Sequence, residues 1–289
     1  MKPTFRTKNR KKFRLYGKKP HNLIIVHGGP GSCGEMKPVA ENIIDFVQEK
    51  EISAGVMEPF LVQSTISGQI EEIKKRIEQF SFPPCILIGF SWGAWMVFLF
   101  AAKYPDLVKK VILIGAGPFE SKYTSTISDT RISRLSAKEE REYKKIMVYL
   151  QQLGQKSSPE KSQKYFWRLG ELAEKADCFK KESMEKFPFR DDSIIQMDPN
   201  DAFKTMNEAQ DLRRNGFFLK VGRNIRCPVY IIHGNYDSHP FLGVKKPLLK
   251  IFLKSQIKFY LLQKCGHKPW IEKYASSKFY SILKKILAK

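Results

Sequence analysis

Paired cysteines are missing from this chain. Its five, Cys33, Cys85, Cys178, Cys227 and Cys265, are scattered, odd in number and free of any C-x-x-C pair. That pattern suggests neither a disulfide framework nor a zinc site, and free thiols fit a reducing cytoplasm. No cluster of residues has metal-ligand spacing, so neither a metal nor an organic cofactor is expected. Long apolar runs are missing too. The longest stretch without charge or strong polarity, Trp92 to Ala102, is well short of the roughly 18 residues that a membrane span needs. The basic start, MKPTFRTKNRKKFRLYGKKP, leads into no apolar segment and does not read as a secretory signal. The expectation is a cytoplasmic protein with no membrane span.

Acidic residues are scarce: 29 Asp and Glu stand against 51 Lys and Arg, a formal charge of +22. Such an excess suits an anionic partner such as nucleic acid, lipid or an acidic substrate. The lysines, however, are spread in ones and twos along helix-like faces. The densest group, the N-terminal arm, lacks the aromatic interleaving of an RNA-binding motif. A lysine-rich surface with no specific nucleic-acid partner is therefore expected.

What is present is length and rhythm. A chain of 289 residues, 42% hydrophobic, can form one large domain with an insertion or two small ones. Buried strands are expected at Asn22–Val26, Cys85–Gly89, Val108–Gly115, Pro228–His233 and Lys258–Leu262, with a weaker one at Ala54–Glu58. Helical periodicity marks Lys37–Lys50, Ile70–Phe80, Trp92–Tyr104, Val244–Leu253 and Pro269–Leu287. Strands apolar on both faces, alternating with helices, indicate a parallel sheet covered by helices. The rhythm stops at Gly115-Ala-Gly-Pro118. From there to about Asn215 the chain is charged and helical in pattern, with its clearest helices at Arg134–Leu153 and Tyr165–Phe179, broken by Ser157-Ser-Pro159. This block reads as a lid on one sheet, which divides the chain into a core of residues 1–117 and 216–289 and a helical cap of residues 118–215.

Four strand ends carry the residues with chemical potential. Gly89-Phe-Ser91-Trp-Gly93 is a G-x-S-x-G between a strand and a helix. A serine on so tight a turn takes a strained backbone, and glycines two residues either side remove the collision of side chains. The helix that follows aims its free N–H groups at the site, favouring developing negative charge. His27-Gly-Gly-Pro-Gly31 follows the first strand and suits close approach of backbone amides. The N–H groups of Gly29 and Trp92 are the candidate oxyanion hole, since Pro30 has no N–H. Asp237 ends His-Gly-Asn-Tyr-Asp237, and His267 ends the Lys-Cys-Gly-His267 turn. Ser91, Asp237 and His267, each on a loop after a strand, are expected to converge at the carboxyl edge of one sheet. His27 and His233 read as structural and His21 as surface. His239 reads equally as a pocket residue and as a loop histidine bonded to backbone. Asp129 and Asp211 are other acids, but neither follows a strand. Trp92, Trp95, Trp167 and Trp270 read as packing residues, with Trp92 the nearest to Ser91.

With these elements the chain resembles the α/β-hydrolase family, through HGGPG at 27–31, GFSWG at 89–93, HGNYD at 233–237 and CGH at 265–267. The resemblance runs from about residue 22 to the end, and residues 118–215 correspond to the family's variable cap. It implies an α/β-hydrolase fold: an eight-stranded, mostly parallel sheet flanked by helices, with the cap inserted after the sixth strand. Only one or two short strands fit before Asn22, so the N-terminal sheet edge should be abbreviated. The implied chemistry is acyl transfer, with Ser91 as nucleophile, His267 as general base and Asp237 orienting the histidine.

The implied substrate is a small-molecule carboxylic ester or amide. The HGGPG and G-x-S-W-G pair also resembles that of proline iminopeptidases, which leaves an aminopeptidase as an alternative. In that case cap carboxylates should bind the substrate amino terminus, with Glu171, Glu174, Asp177, Glu208 and Asp211 as candidates that no spacing separates. Phe90 departs from the glycine usual before the serine in those enzymes. A non-catalytic binding protein on the same fold is the remaining alternative. A serine nucleophile argues against dehalogenase chemistry, which uses aspartate in this family. Oligomeric state is not legible.

Overall fold

In a computed structural model of the chain, residues 10–152, 158–182 and 193–289 are described. The first nine residues of the basic arm, and Ser157 in the expected helix break, lie outside them. Seven strands form one sheet in the order β1-β3-β2-β4-β5-β6-β7. Their ranges are β1 Phe13–Gly17, β2 Leu23–Val26, β3 Gly55–Pro59, β4 Cys85–Phe90, β5 Val108–Ile114, β6 Val229–Gly234 and β7 Ile257–Leu262. All neighbours pair in parallel except β1, which runs antiparallel to β3. This is the α/β-hydrolase fold, and among the described residues its N-terminal edge is a single antiparallel strand. The helical segment accordingly follows the fifth strand of seven, where an eight-stranded sheet would place it after the sixth.

The continuous apolar strands are explained by cover on both faces. Along β4, Cys85 and Leu87 pack on one side with helices α2 (Ile66–Phe80) and α3 (Trp92–Lys103), while Ile86, Ile88 and Phe90 pack on the other with α1 (Lys37–Glu49). The period of two along a strand sends alternate residues to opposite layers, so a strand buried on both sides shows no polar face. Helix α3 is buried along Trp92–Ala102, which accounts for the longest apolar run: it is an interior helix. Among the described residues no helix is long and apolar enough to cross a membrane.

Between β5 and β6 lie α4 (Ser125–Ser133), α5 (Ala137–Gln151), α6 (Pro159–Asp177), α7 (Pro199–Arg214) and α8 (Phe217–Gly222), with no strand among the described residues. Helices α4 to α6 have an apolar cluster of their own around Tyr143, Ile146, Leu150 and Leu172. Helix α5 starts in a capping box, in which Ser136 and Glu139 satisfy each other's backbone amides. Helices α7 and α8 contribute Ala209 and Phe218 to the main core instead. After β6 come α9 (Leu242–Leu249) and α10 (Ser276–Leu287). The single terminal helix expected from Pro269 is divided into a short 3₁₀ turn, Pro269–Ile271, and α10.

His21 is a correction. The expected surface histidine is buried, with its ring edge-on to Phe80 at 6.3 Å. A Cβ at Gly55 would collide with that ring, so the absence of a side chain there makes room for it.

The antiparallel edge carries a buried charge. Register sets Arg14 opposite Glu58. The fully buried Glu58 Oε2 accepts from Arg14 Nη1 at 3.3 Å and from the Tyr16 hydroxyl at 3.2 Å. Burial pushes the Glu58 carboxyl up to about 7, against the opposing pull of Arg14. The folded value lies above the ordinary 4.5, so the native state binds this proton more tightly than the unfolded chain does. Stability from Glu58 is thus present below the unfolded value and lost as pH rises through the folded one. Glu58→Gln is expected to flatten the fall in Tm between about pH 5 and 8, as followed by thermal unfolding across that range. An unchanged slope would show that Glu58 does not titrate there.

Candidate active site

Ser91 sits between β4 and α3 with φ +50° and ψ −110°, a left-handed backbone that costs a residue with a Cβ of order 1–3 kcal/mol. The surroundings enforce it. The Ser91 N–H donates to Ile114 O at 2.9 Å, tying the turn to β5. A Cβ at Gly89 would strike the Gly93 carbonyl, and one at Gly93 would strike the backbone at the end of β2. Both glycines are therefore required by close backbone approach across the turn.

The loop after β2 is held from both sides. The buried His27 Nε2 accepts the Leu61 N–H at 2.9 Å, which leaves Nδ1–H to donate to Gly28 O at 2.7 Å. Burial pulls this histidine below its ordinary value, which favours the neutral ring that these bonds need. The Gly28 N–H donates to Glu35 Oε1 at 2.6 Å. Gly29 has φ +105°, and a Cβ there would lie 2.6 Å from the Gly31 nitrogen. The chain curls back on itself at this point, and only glycine fits.

The loops after β6 and β7 are laced together. Tyr236 N–H donates to Cys265 O at 2.8 Å and Asn235 N–H to Leu262 O at 2.9 Å. The result is a continuous chain: the Ser91 hydroxyl lies 2.9 Å from His267 Nε2, and His267 Nδ1 lies 2.7 Å from Asp237 Oδ2. Asp237 is buried, and burial opposes its ionisation. Attraction and hydrogen bonds from His267 and His239 outweigh that and hold its carboxyl well below the usual carboxylate range. Ionised Asp237 can only accept, so His267 carries its proton on Nδ1 and presents the Nε2 lone pair to Ser91. Phe90 lies against the His267 ring at 4.8 Å. Gly29 lies in the loop after β2, and Trp92, next to Ser91, is the first residue of α3. His233 donates through Nε2 to His239 O at 2.9 Å. Asp129 sits in α4 and Asp211 pairs with Arg214, and neither joins the chain.

The segment between β5 and β6 is tied to these loops through charges that sequence pattern did not single out. Lys268, next to His267, bridges Glu35 at 3.0 Å and Glu174 of α6 at 2.7 Å, and Glu174 also binds Lys181. Burial disfavours the Lys268 charge, but the two carboxylates more than compensate and raise its pKa. Asp177 takes a forked bond from Arg131 of α4, with Arg131 Nη2 at 2.6 Å from Oδ2, and its carbonyl accepts the His267 N–H at 2.9 Å. Arg134 donates to Tyr236 O at 2.8 Å. The buried Glu272 carboxylate receives the N–H groups of Gly266, Phe179 and Lys180. That inward turn of Glu272 accounts for the break between the 3₁₀ turn and α10.

Asp237, His239 and His267 form the cluster among the described residues whose ligand atoms gather closely enough, within 4.8 Å, for a metal ion. Their facing atoms are already matched to one another as donors and acceptors.

Comparison with known proteins agrees with the fold. The family model described as alpha/beta hydrolase fold matches residues 63–274, well over half of the chain. This chain belongs to the alpha/beta hydrolase fold family. It is 30% identical over 104 residues to pyrrolizixenacetamide deacetylase of Xenorhabdus hominickii, covering 35% of this chain and 39% of that one. It is 34% identical over 58 residues to epoxide hydrolase 4 of Mus musculus, covering 20% and 16%. The matched segments thus span well under two thirds of either relative. Among solved structures, VinJ superposes with a TM-score of 0.64 at 14% identity, over 95% of this chain and 93% of that one. The monoacylglycerol lipase of Paleococcus ferrophilus gives 0.60 at 13%, over 96% and 97%. The proline iminopeptidase of Mycobacterium smegmatis gives 0.59 at 14%, over 95% and 93%. At these identities the likeness speaks for the fold.

Replacing Lys268 with Met leaves Glu35 and Glu174 facing each other without their shared cation. A loss of stability on the order of 2 kcal/mol is expected, read as a lower urea midpoint. A midpoint equal to wild type would mean that the bridge contributes nothing.

Proposed function

We propose that the protein is a serine hydrolase that cleaves a carboxylic ester or amide of a small molecule through an acyl-enzyme on Ser91. The observation that carries this reading is the unbroken chain Ser91–His267–Asp237, at 2.9 and 2.7 Å. In the first step His267 Nε2 takes the Ser91 proton as Oγ attacks the carbonyl carbon. Asp237 holds the imidazole in the required tautomer and balances its positive charge. The tetrahedral oxyanion forms opposite the N–H groups of Gly29 and Trp92, where the first turn of α3 also favours negative charge. His267 then returns the proton to the leaving group, and a water deprotonated by His267 releases the acid.

In this reading residues 118–215 act as a cap on a core made of residues 1–117 and 216–289. The contacts of Arg134, Glu174 and Asp177 with the loops around His267 support it. The five free thiols fit a reducing cytoplasm. The deacetylase relative accords with acyl transfer, although its match covers only part of either chain.

The aminopeptidase alternative needs a cap carboxylate free to meet a substrate amino group. Glu174 and Asp177 are spent on Lys268, Lys181 and Arg131, and Glu171 pairs with Arg168. Glu208 accepts the N–H of Ile66 at the start of α2, and Asp211 pairs with Arg214. These engagements favour the esterase or amidase reading.

Labelling with a fluorophosphonate probe should depend on Ser91 and vanish in Ser91→Ala, and kcat on a short-chain aryl ester should fall by about 10⁴-fold or more. Folded protein that shows no Ser91-dependent labelling would sink the enzyme reading in favour of a binding protein. Run beside the esters, aminoacyl amides are expected to be the poorer substrates, and a strict requirement for a free amino terminus would reverse the order.

A further inference from the structure

Asp237 serves two imidazoles. Its Oδ2 takes the Nδ1–H of His267 at 2.7 Å. Its Oδ1 takes two donors from one residue, the backbone N–H of His239 at 2.9 Å and the His239 Nδ1–H at 2.8 Å. The rings of His239 and His267 stack, with centroids 4.5 Å apart and planes 29° apart. His267 is therefore flanked by His239 and Phe90 while both histidines draw on one carboxylate. His239 is thus bonded through its ring to the acid, while its carbonyl accepts from His233.

We propose that His239 is a positioning residue for the reaction, holding the Asp237 carboxylate so that Oδ2 faces His267. A buried carboxylate gripped on one oxygen alone can pivot about its terminal torsion, which is broad and nearly two-fold. Two N–H groups on Oδ1 fix both the plane of the carboxylate and the direction of its second oxygen. The stacked ring then limits rotation of the His267 imidazole. The groups that face His239 are Asp237, His267, His233, Arg131 and Asp177. Burial pulls its pKa down, in keeping with a neutral ring that donates its Nδ1–H to Asp237. The inference rests on the hydrolase reading for its effect on rate but not for the geometry, and the two are tested separately.

Two substitutions divide the functions of the ring. His239→Asn places an amide N–H near the position of Nδ1 and removes the stacked ring. His239→Phe keeps a ring and removes the donor. The first measurement, in Ser91→Ala protein, follows by proton NMR the downfield Nδ1–H of His267, which requires no activity. That resonance should persist with Asn and broaden or vanish with Phe. The second measurement is kcat and KM on an aryl ester. Losing one hydrogen bond to a charged group lowers kcat by about 10- to 100-fold in His239→Phe, with KM nearly unchanged, and Asn restores most of it. A Phe variant with wild-type kcat and a sharp resonance overturns the proposal. So does an Asn variant that falls as far as Phe in both measurements, which would mark a packing role, or a loss confined to KM, which would mark a substrate contact. If the resonances respond as expected but wild-type protein has no Ser91-dependent turnover, the positioning stands and the hydrolase reading falls.

Discussion

A carboxylate buried at the end of β6 must be matched by donors or it will not stay ionised. Asp237 meets that demand with N–H groups from two loops: its own through His239, and the β7 loop through His267. Because the charge is satisfied only when those loops are in place, the ionised Asp237 and the arrangement around it depend on one another. The interlaced backbone of residues 234–237 and 262–266 is the structural counterpart of that dependence.

The other side of the site is a matter of backbone. Ser91 is held in a left-handed conformation at the junction of β4 and α3, and the strain is absorbed by a fully buried strand and helix. Parallel pairing of β2, β4, β5, β6 and β7 brings every carboxyl end to the same edge. The loop at 27–34, the Ser91 turn, the acid loop and the His267 loop are thereby neighbours, although up to 176 residues separate Ser91 from His267. Helix α6 meets this edge through Glu174, which pairs with Lys268, and through the Asp177 carbonyl, which accepts the His267 N–H.

Most of the sheet was legible because strands buried on both faces print as uninterrupted apolar runs. The weak strand at Ala54–Glu58 proved to be the fully buried β3, its signal diluted by Glu58, an acid that is accommodated inside by Arg14 and Tyr16 across the register. Chain order and turn chemistry also located Ser91, Asp237 and His267, since each lies just past a strand. The partners of those residues were not legible. Glu35, Lys268, Glu174, Arg131 and Glu272 look like ordinary solvated charges in a lysine-rich chain, and nothing in their local spacing distinguishes them. His21 was misplaced for a related reason: a histidine between a proline and an asparagine has the local character of a loop, and only the space left by Gly55 admits it to the interior.

The sequence by itself determined the fold class, the order of the elements and the three strand-end residues, because those follow from local periodicity and from glycine at positions no other residue can occupy. Tertiary structure alone decided how the charges pair. It turned Glu174 and Asp177 from open carboxylates into occupied ones, set His239 on the free oxygen of Asp237, and placed Lys268 between the helical segment and the loop at residue 28. The physical reason is that ion pairs and buried hydrogen bonds act over a few ångströms in space between residues far apart in the chain, and one-dimensional spacing carries no record of that distance.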